Sequence, residues 1–187
     1  SLIQELYQDN LYRLFHKRTL FSRQKPQTAV LFYMHSGEEY LRRNYPTHLL
    51  CEKLPRFLRG CPVCQFDLDN HFCFLDGGRG APQAVDTLET LAALGVKTIV
   101  AVGMFGAFGE NVNNGDIIIP NKAFVEEGTS LHYYNSIEYS VPSPSLYQRA
   151  VKEITSAKSL PIVSTDAVYR QTFWKEQLWR EKGAVGV

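Results

Sequence analysis

Lys97-Thr98-Ile99-Val100-Ala101-Val102-Gly103, followed beyond a glycine-rich loop by Asp116-Ile117-Ile118-Ile119-Pro120, is the stretch on which the fold turns. Continuous apolar runs of this kind, without polar alternation, belong to strands covered on both faces. Just upstream the spacing changes. Val85, Leu88, Leu91, Ala92 and Leu94 recur on one helical face, and Gly95 is a natural stop. Helix, strand, loop and strand in succession are the grammar of an α/β domain.

Working outward, Thr28 to Met34 forms another apolar run and reads as a buried strand, with His35-Ser36-Gly37 turning into a short helix from Glu38 to Arg43. Val63–Leu68 and His71–Leu75 alternate around Asp69-Asn70, the pattern of a β-hairpin. Tyr45 to Arg59 reads as strand and loop feeding it. Toward the C-terminal side, Pro144–Ala157 reads as a helix, Leu160–Val163 as a strand, Gln171–Lys182 as a helix ended by Gly183, and Ala184-Val185-Gly186-Val187 as the start of another strand. At the other end, Leu2, Ile3, Leu6, Tyr7, Leu11, Leu14 and Phe15 set out an amphipathic helix over residues 2–17. Residues 1–27 are thus an N-terminal helix and connection, and residues 1–187 a single domain. A core strand opening at Ala184 implies a chain that is C-terminally incomplete.

The chain has 187 residues, 44% of them hydrophobic and 21% charged, with a formal net charge of +1. That balance argues against broad electrostatic binding to nucleic acid or membrane surface. No apolar run has the length of a membrane span, and Ser1-Leu2-Ile3-Gln4 lacks the basic-then-apolar opening of a signal peptide. A cytoplasmic location is expected. Cys61-Pro62-Val63-Cys64 has redox or zinc spacing, with His71 and Cys73 nearby in sequence. Without a second CxxC, and on a hairpin that sends Cys64 and Val63 to opposite faces, structural thiols are the better reading, and no metal site is expected. Gly77-Gly78-Arg79-Gly80 and the loop Gly103–Gly109 each follow an apolar run, where a glycine backbone can approach a ligand closely. Neither spells GxGxxG before a helix, which sets a dinucleotide fold aside.

Several blocks carry a specific resemblance. Gly80-Ala81-Pro82, Leu88-Glu89-x-Leu91, Leu94-Gly95-Val96-Lys97, Val102-Gly103-Met104-Phe105-Gly106-Ala107 and Val112-x-x-Gly115-Asp116-Ile117-Ile118-Ile119 occur in order. Glu127-Gly128-Thr129-Ser130-x-His132-Tyr133, Ser164-Thr165-Asp166-Ala167-x-Tyr169 and Trp179-Arg180-x-x-Gly183-Ala184-Val185-Gly186-Val187 follow. Across residues 75–187 this series resembles the purine nucleoside and uridine phosphorylase family, which includes related nucleosidases. The resemblance implies a three-layer αβα fold with a central mixed sheet. It also implies cleavage of a nucleoside N-glycosidic bond at C1′ by phosphate or water, with no cofactor beyond phosphate as a possible co-substrate. A small-molecule nucleoside is the implied ligand, and sites completed across subunits imply a homo-oligomer, a dimer or a hexamer.

Residue by residue, the resemblance puts Met104, Phe105 and Gly106 in the loop that meets phosphate, ribose and base. Val168 and Tyr169 fall on the base side, and Val187 leads into an acidic-Met-Glu signature. The family's ribose-binding glutamate, and the aspartate that protonates a purine, would lie after Val187, so the resemblance implies that residues 1–187 alone do not complete the reaction. Phosphate ligands are the main departure. Ala101 stands where the family has arginine, and Met104 where it has serine or threonine. Gly37 and Arg42 are candidates for the family's first anion loop, with Arg42 one residue out of register, and Arg59 for an arginine sent into a neighbouring site. Val168 replaces a base-stacking aromatic, and Gln171-Thr172-Phe173-Trp174 lacks the uracil-reading pattern, which leaves a purine preferred. Asp166 is expected to cap the segment after it, and Trp174 and Trp179 to pack against a sheet. His132 is either a ligand contact or a loop residue, and Arg79 either an anion ligand or a surface side chain.

Overall fold

The computed structural model describes residues 26–56 and 60–187. The expected helix over 2–17 and the candidate Arg59 lie outside the described residues. Packing divides the chain into two compact units, Ser1–Met104 and Phe105–Val187.

The first unit is built on a five-stranded mixed sheet in the order β2-β3-β4-β1-β5. β1 (Thr28–Phe32) lies between β4 (Asp69–Asp76) and β5 (Thr98–Val102), parallel to both. β2 (Thr47–Leu54) and β3 (Cys61–Phe66) extend the sheet antiparallel. The apolar run from Thr28 and the run from Lys97 therefore form neighbouring strands, but β5, expected to be covered on both faces, ends the strand order of this sheet with Ala101 and Val102 exposed. Ala29, Leu31, Val63, Cys73, Phe74 and Leu75 are fully enclosed. Each enclosed leucine or phenylalanine contributes roughly 1.5–3 kcal/mol of transfer free energy. The hairpin forms, but its turn falls at Asp67-Leu68, and Asp69-Asn70 opens β4.

Two helices complete this unit. α1 (Gly37–Asn44) follows β1 and α2 (Gly80–Ala93) follows β4. The buried residues of α2 are Thr87, Thr90 and Leu91, so two threonines share the face expected to be wholly aliphatic, while Ala92 is exposed. The hydroxyls explain the burial. Thr87 Oγ1 is 2.9 Å from the Gln83 carbonyl oxygen and 3.2 Å from that of Gly77, and Thr90 Oγ1 donates to the Pro55 carbonyl at 3.3 Å.

The second unit carries a three-stranded mixed sheet in the order β7-β6-β8. β6 (Ala123–Glu126) pairs antiparallel with β7 (Tyr139–Ser140) and parallel with β8 (Ile162–Thr165). α3 (Pro144–Glu153) and α4 (Phe173–Glu181) flank these strands in sequence. Thr172 caps α4, its Oγ1 accepting from the Lys175 amide at 3.3 Å, and Gly183 leaves the helix at φ 85°. Phe124, Val163, Trp179 and Ala184 form the core of this unit. Trp179 packs as expected, whereas Trp174 is exposed.

Two expected strands are reduced to single bridges. Asp116–Pro120 makes one, between Ile118 and Lys158, and Ala184–Val187 makes one, between Gly186 and Ala107. Pro120 has no N–H to continue a ladder, and the Lys158 ammonium closes on the Asp116 carboxylate at 2.6 Å.

Candidate functional site

In the first unit the parallel strands β4, β1 and β5 end level with one another, Phe32 facing Asp76 on one side and Val102 on the other. Ligands of open α/β sheets bind beyond such carboxyl ends. Tyr33 emerges there. Its amide donates to the Val102 carbonyl at 2.8 Å, and the Gly77 amide donates to the Phe32 carbonyl at 2.9 Å. The Tyr33 ring lies against Gly77, and burial pushes its hydroxyl pKa up to about 12, with Arg56 opposing the shift. Arg56 Nη1 donates to the Asp76 carbonyl and to Thr87 Oγ1, both at 3.0 Å. Arg79 stands between Gly78 and Gly80, which have φ 95° and 74°, and pairs with Asp76 Oδ1 at 2.9 Å on a largely open surface.

The anion-loop candidates have other surroundings. A side chain at Gly37 would collide with the Phe32 ring, so this glycine makes room for packing. Arg42 is exposed in the last turn of α1, whose first turn carries Glu38 and Glu39. The side chain of Met104 is 73% exposed just beyond β5.

In the second unit the structure brings Phe105, Gly106 and Val187 together. Gly106 and Val187 exchange backbone hydrogen bonds at 2.8 and 3.0 Å, and the Phe105 ring covers Gly186 so closely that a Cβ there would collide with it. Val187 also packs against the core of this unit, and the Val163 amide donates to the Gly186 carbonyl at 2.9 Å, tying β8 to the same segment. Val168 and Tyr169 occupy a 3₁₀ turn (Val168–Arg170) after β8, and Tyr169 is fully exposed.

Beyond the ends of β6 and β8 two carboxylates organise the backbone. Glu127 accepts from the amides of Thr129 and Ser130 at 2.6 and 3.0 Å. Asp166 Oδ2 accepts from the Gly128 amide at 3.0 Å. Asp166 is therefore structural, but it joins two loops distant in sequence and does not cap the turn that follows it. His132 is exposed at the end of the 3₁₀ turn Thr129–His132. Lys175 bonds Glu126 at 2.6 Å and holds that carboxyl below its usual range.

The four cysteines are buried and unbonded to one another. Burial pushes the Cys61 thiol up to about 11 and that of Cys73 to about 12, away from the thiolate a metal needs. Among the described residues no group of three or more His, Cys, Asp or Glu side chains converges to hold an ion, and no helix is long and apolar enough to cross a membrane.

A family model described as the phosphorylase superfamily matches residues 47–187. The chain belongs to the phosphorylase superfamily. A guanosine phosphorylase of Halorubrum lacusprofundi is 30% identical over 117 residues, which are 59% of this chain and 47% of that protein. A uridine phosphorylase of Thermococcus kodakarensis is 34% identical over 99 residues, 49% of this chain and 35% of that one. The chain thus aligns with less than half the length of these curated relatives. A solved uridine phosphorylase from Vibrio fischeri superposes with a TM-score of 0.71 at 23% identity, covering 87% of this chain and 68% of that one. That likeness establishes the three-layer α/β phosphorylase fold, with mixed strands flanked by helices, for this superfamily member.

Sequence reading missed Tyr33, Arg56 and Asp76 as a group. Tyr33 read as one more apolar residue of a strand, and Arg56 as part of a connection. The usable signal was an aromatic residue at the carboxyl end of a strand inside a parallel set.

Proposed function

We propose that this protein acts on the N-glycosidic bond of a nucleoside, preferably a purine nucleoside, and that water serves as the attacking group without a requirement for phosphate. The observation that carries the reading is the closed pair between Gly106 and Val187, with Phe105 laid over Gly186. It gives the loop after β5 a fixed form in a chain that belongs to the phosphorylase superfamily. Phe105 and the exposed Tyr169 supply apolar and aromatic surface for base and sugar. Ala101 and Met104 supply neither the cation nor the hydroxyl that phosphate needs, and an arginine–phosphate contact is about twice as strong as a neutral hydrogen bond. The same departure gives weight to a second reading, a nucleoside-binding protein that does not turn its ligand over. A homo-oligomer in the cytoplasm, with no resident metal or organic cofactor, completes the proposal.

The test is base release from inosine, guanosine, adenosine and uridine by the purified native protein, followed by chromatography, with equilibrium binding of each nucleoside in parallel. Release from the purine nucleosides above a no-enzyme control is expected. Binding without release supports the second reading. Neither binding nor release contradicts both.

A further inference from the structure

Asn114-Gly115 is the single place in the chain where an asparagine precedes a glycine. It lies in the second unit, in the loop that leads into Ile117-Ile118-Ile119. The Asn113 carbonyl accepts from the Asp116 amide at 3.0 Å, closing a β-turn with Asn114 and Gly115 at its centre. Gly115 turns at φ 93°, a left-handed conformation that glycine adopts without strain. Both central residues are exposed, and a Cβ built on Gly115 would meet nothing within 4 Å. Among the described residues neither the Asn114 carboxamide nor the Gly115 amide makes a hydrogen bond. An unhindered backbone nitrogen thus follows a carboxamide that nothing holds. The flank of the turn is built on charge. Asp116 Oδ2 accepts from the Asn113 amide at 2.7 Å and from Lys158 Nζ at 2.6 Å, and the same ammonium donates to the Asn111 carbonyl at 2.7 Å. Next to it the Lys158 amide donates to the Ile117 carbonyl at 2.8 Å, and the Ile119 amide to the Lys158 carbonyl at 2.9 Å. The turn therefore sets the carboxylate that anchors the Ile118–Lys158 bridge.

We propose that Asn114 is a site of spontaneous deamidation, closed to a succinimide by the Gly115 nitrogen, and that its isoaspartyl product opens the turn and loosens the Ile118–Lys158 bridge. In the first step the Gly115 nitrogen gives its proton to solvent and bonds to Cγ of Asn114. The C–N bond of the carboxamide breaks, and ammonia leaves with a proton taken from solvent. Water then opens one of the two imide C–N bonds. Opening on the side-chain branch leaves aspartate, and opening on the main-chain branch leaves isoaspartate, whose backbone now runs through Cβ. In sum a carboxamide and water become a carboxylate and ammonium. Both products place a new negative charge close to the Asp116 carboxylate, where like charges repel. Only isoaspartate also adds a methylene to the backbone between the Asn113 carbonyl and the Asp116 amide, so it alone breaks the hydrogen bond that closes the turn.

The experiment ages the folded protein in neutral and mildly alkaline buffer and follows each asparagine by peptide mapping and mass spectrometry, with aspartyl and isoaspartyl peptides separated by chromatography. The peptide containing Asn114 should gain about 1 Da, the difference between an amide and an acid, and yield both products. Its rate should rise with pH, because the attacking nitrogen must lose a proton. Asn135, equally exposed but followed by Ser136, is the internal control and should convert at least about tenfold more slowly, since a side chain on the attacking residue raises the barrier. Asn114→Gln, which would have to close a larger ring, should stay unmodified over the same time. An unmodified Asn114, conversion no faster than that of Asn135, or aspartate without isoaspartate would overturn the proposal. The structural consequence is read by hydrogen exchange of the isoaspartyl fraction, purified by ion exchange, beside Asn114→Asp, which carries the charge alone. The Lys158 and Ile119 amides should exchange at least about threefold faster in the isoaspartyl fraction than in unaged protein, and less so in Asn114→Asp. Unchanged exchange in the isoaspartyl fraction would contradict the link between the turn and the bridge.

Discussion

Gly106 and Val187 hold each other by two backbone hydrogen bonds, the Gly106 amide donating at 2.8 Å and the Val187 amide at 3.0 Å. Residues 81 positions apart in sequence thereby form one short antiparallel clasp, centred on the bridge between Ala107 and Gly186. The Phe105 ring closes its face, so Gly186 has no room for a side chain.

Gly186→Ala should therefore destabilise the protein by about 1–3 kcal/mol, the range for forcing a methyl group into a packed site. Gly128 has open space around its Cα, so Gly128→Ala is the control and should change stability by less than roughly 0.5 kcal/mol. Urea denaturation of both variants checks this, and equal losses would contradict the clasp.

A second expectation concerns Thr87, which is fully enclosed and accepts from Arg56 at 3.0 Å. Thr87→Val keeps the shape and removes the hydroxyl, leaving buried polar partners unsatisfied at a cost of about 1–3 kcal/mol. Thr87→Ser should lose less, since it retains the hydroxyl and gives up one methyl. A valine variant as stable as the wild type would show that this network contributes nothing.

The Glu126–Lys175 pair has a defined pH signature. Lys175 lowers the Glu126 pKa below the ordinary value of 4.5, so the pair stabilises the fold above that value and is lost as pH falls through the lower, folded-state pKa. Its side chains are 33% and 31% exposed, which limits the contribution to roughly 0.2–1 kcal/mol. Lys175→Met should cost that amount at neutral pH and progressively less in acid. A loss that is constant with pH would point to packing of the lysine stem.

The thiols provide a fourth test. With Cys61 and Cys73 raised by burial to about 11 and about 12, alkylation of the native protein at pH 8 should be slow and should become fast on unfolding. Elemental analysis should find no stoichiometric zinc. One zinc per chain, lost in Cys64→Ser, would overturn the structural reading of these cysteines.

Much of this architecture was legible because apolar continuity and helical spacing report burial directly. Thr28–Phe32 and Thr98–Val102 form strands within the runs that announced them. The hairpin turn was displaced for a local reason. Asp69 does use its carboxylate in a short-range bond, accepting from the His71 amide at 2.9 Å, but it does so within β4. Ile117-Ile118-Ile119 carried a strand's composition but found a single bridge partner, Lys158, since pairing is a property of neighbours that composition does not contain.

At the candidate site, the glycines of the Gly103–Gly109 loop were legible as places of close approach. What approaches them was not. Gly77 looked like a glycine kept for the close approach of a ligand, and a Cβ there would instead meet the Tyr33 ring. Likewise, the family resemblance made Asp166 a cap for the segment after it, while its partner, Gly128, is 38 residues away. Interactions between distant segments leave no periodic mark in the chain.

The most direct test of the account is product analysis with and without phosphate. Inosine and guanosine are incubated with the native protein in phosphate-free buffer and in phosphate, and the sugar product is identified as ribose or ribose 1-phosphate. The account predicts ribose in both, at rates that phosphate changes by less than about twofold, a difference well below the 1.4 kcal/mol of a tenfold effect. Turnover that requires phosphate and yields only ribose 1-phosphate would contradict it.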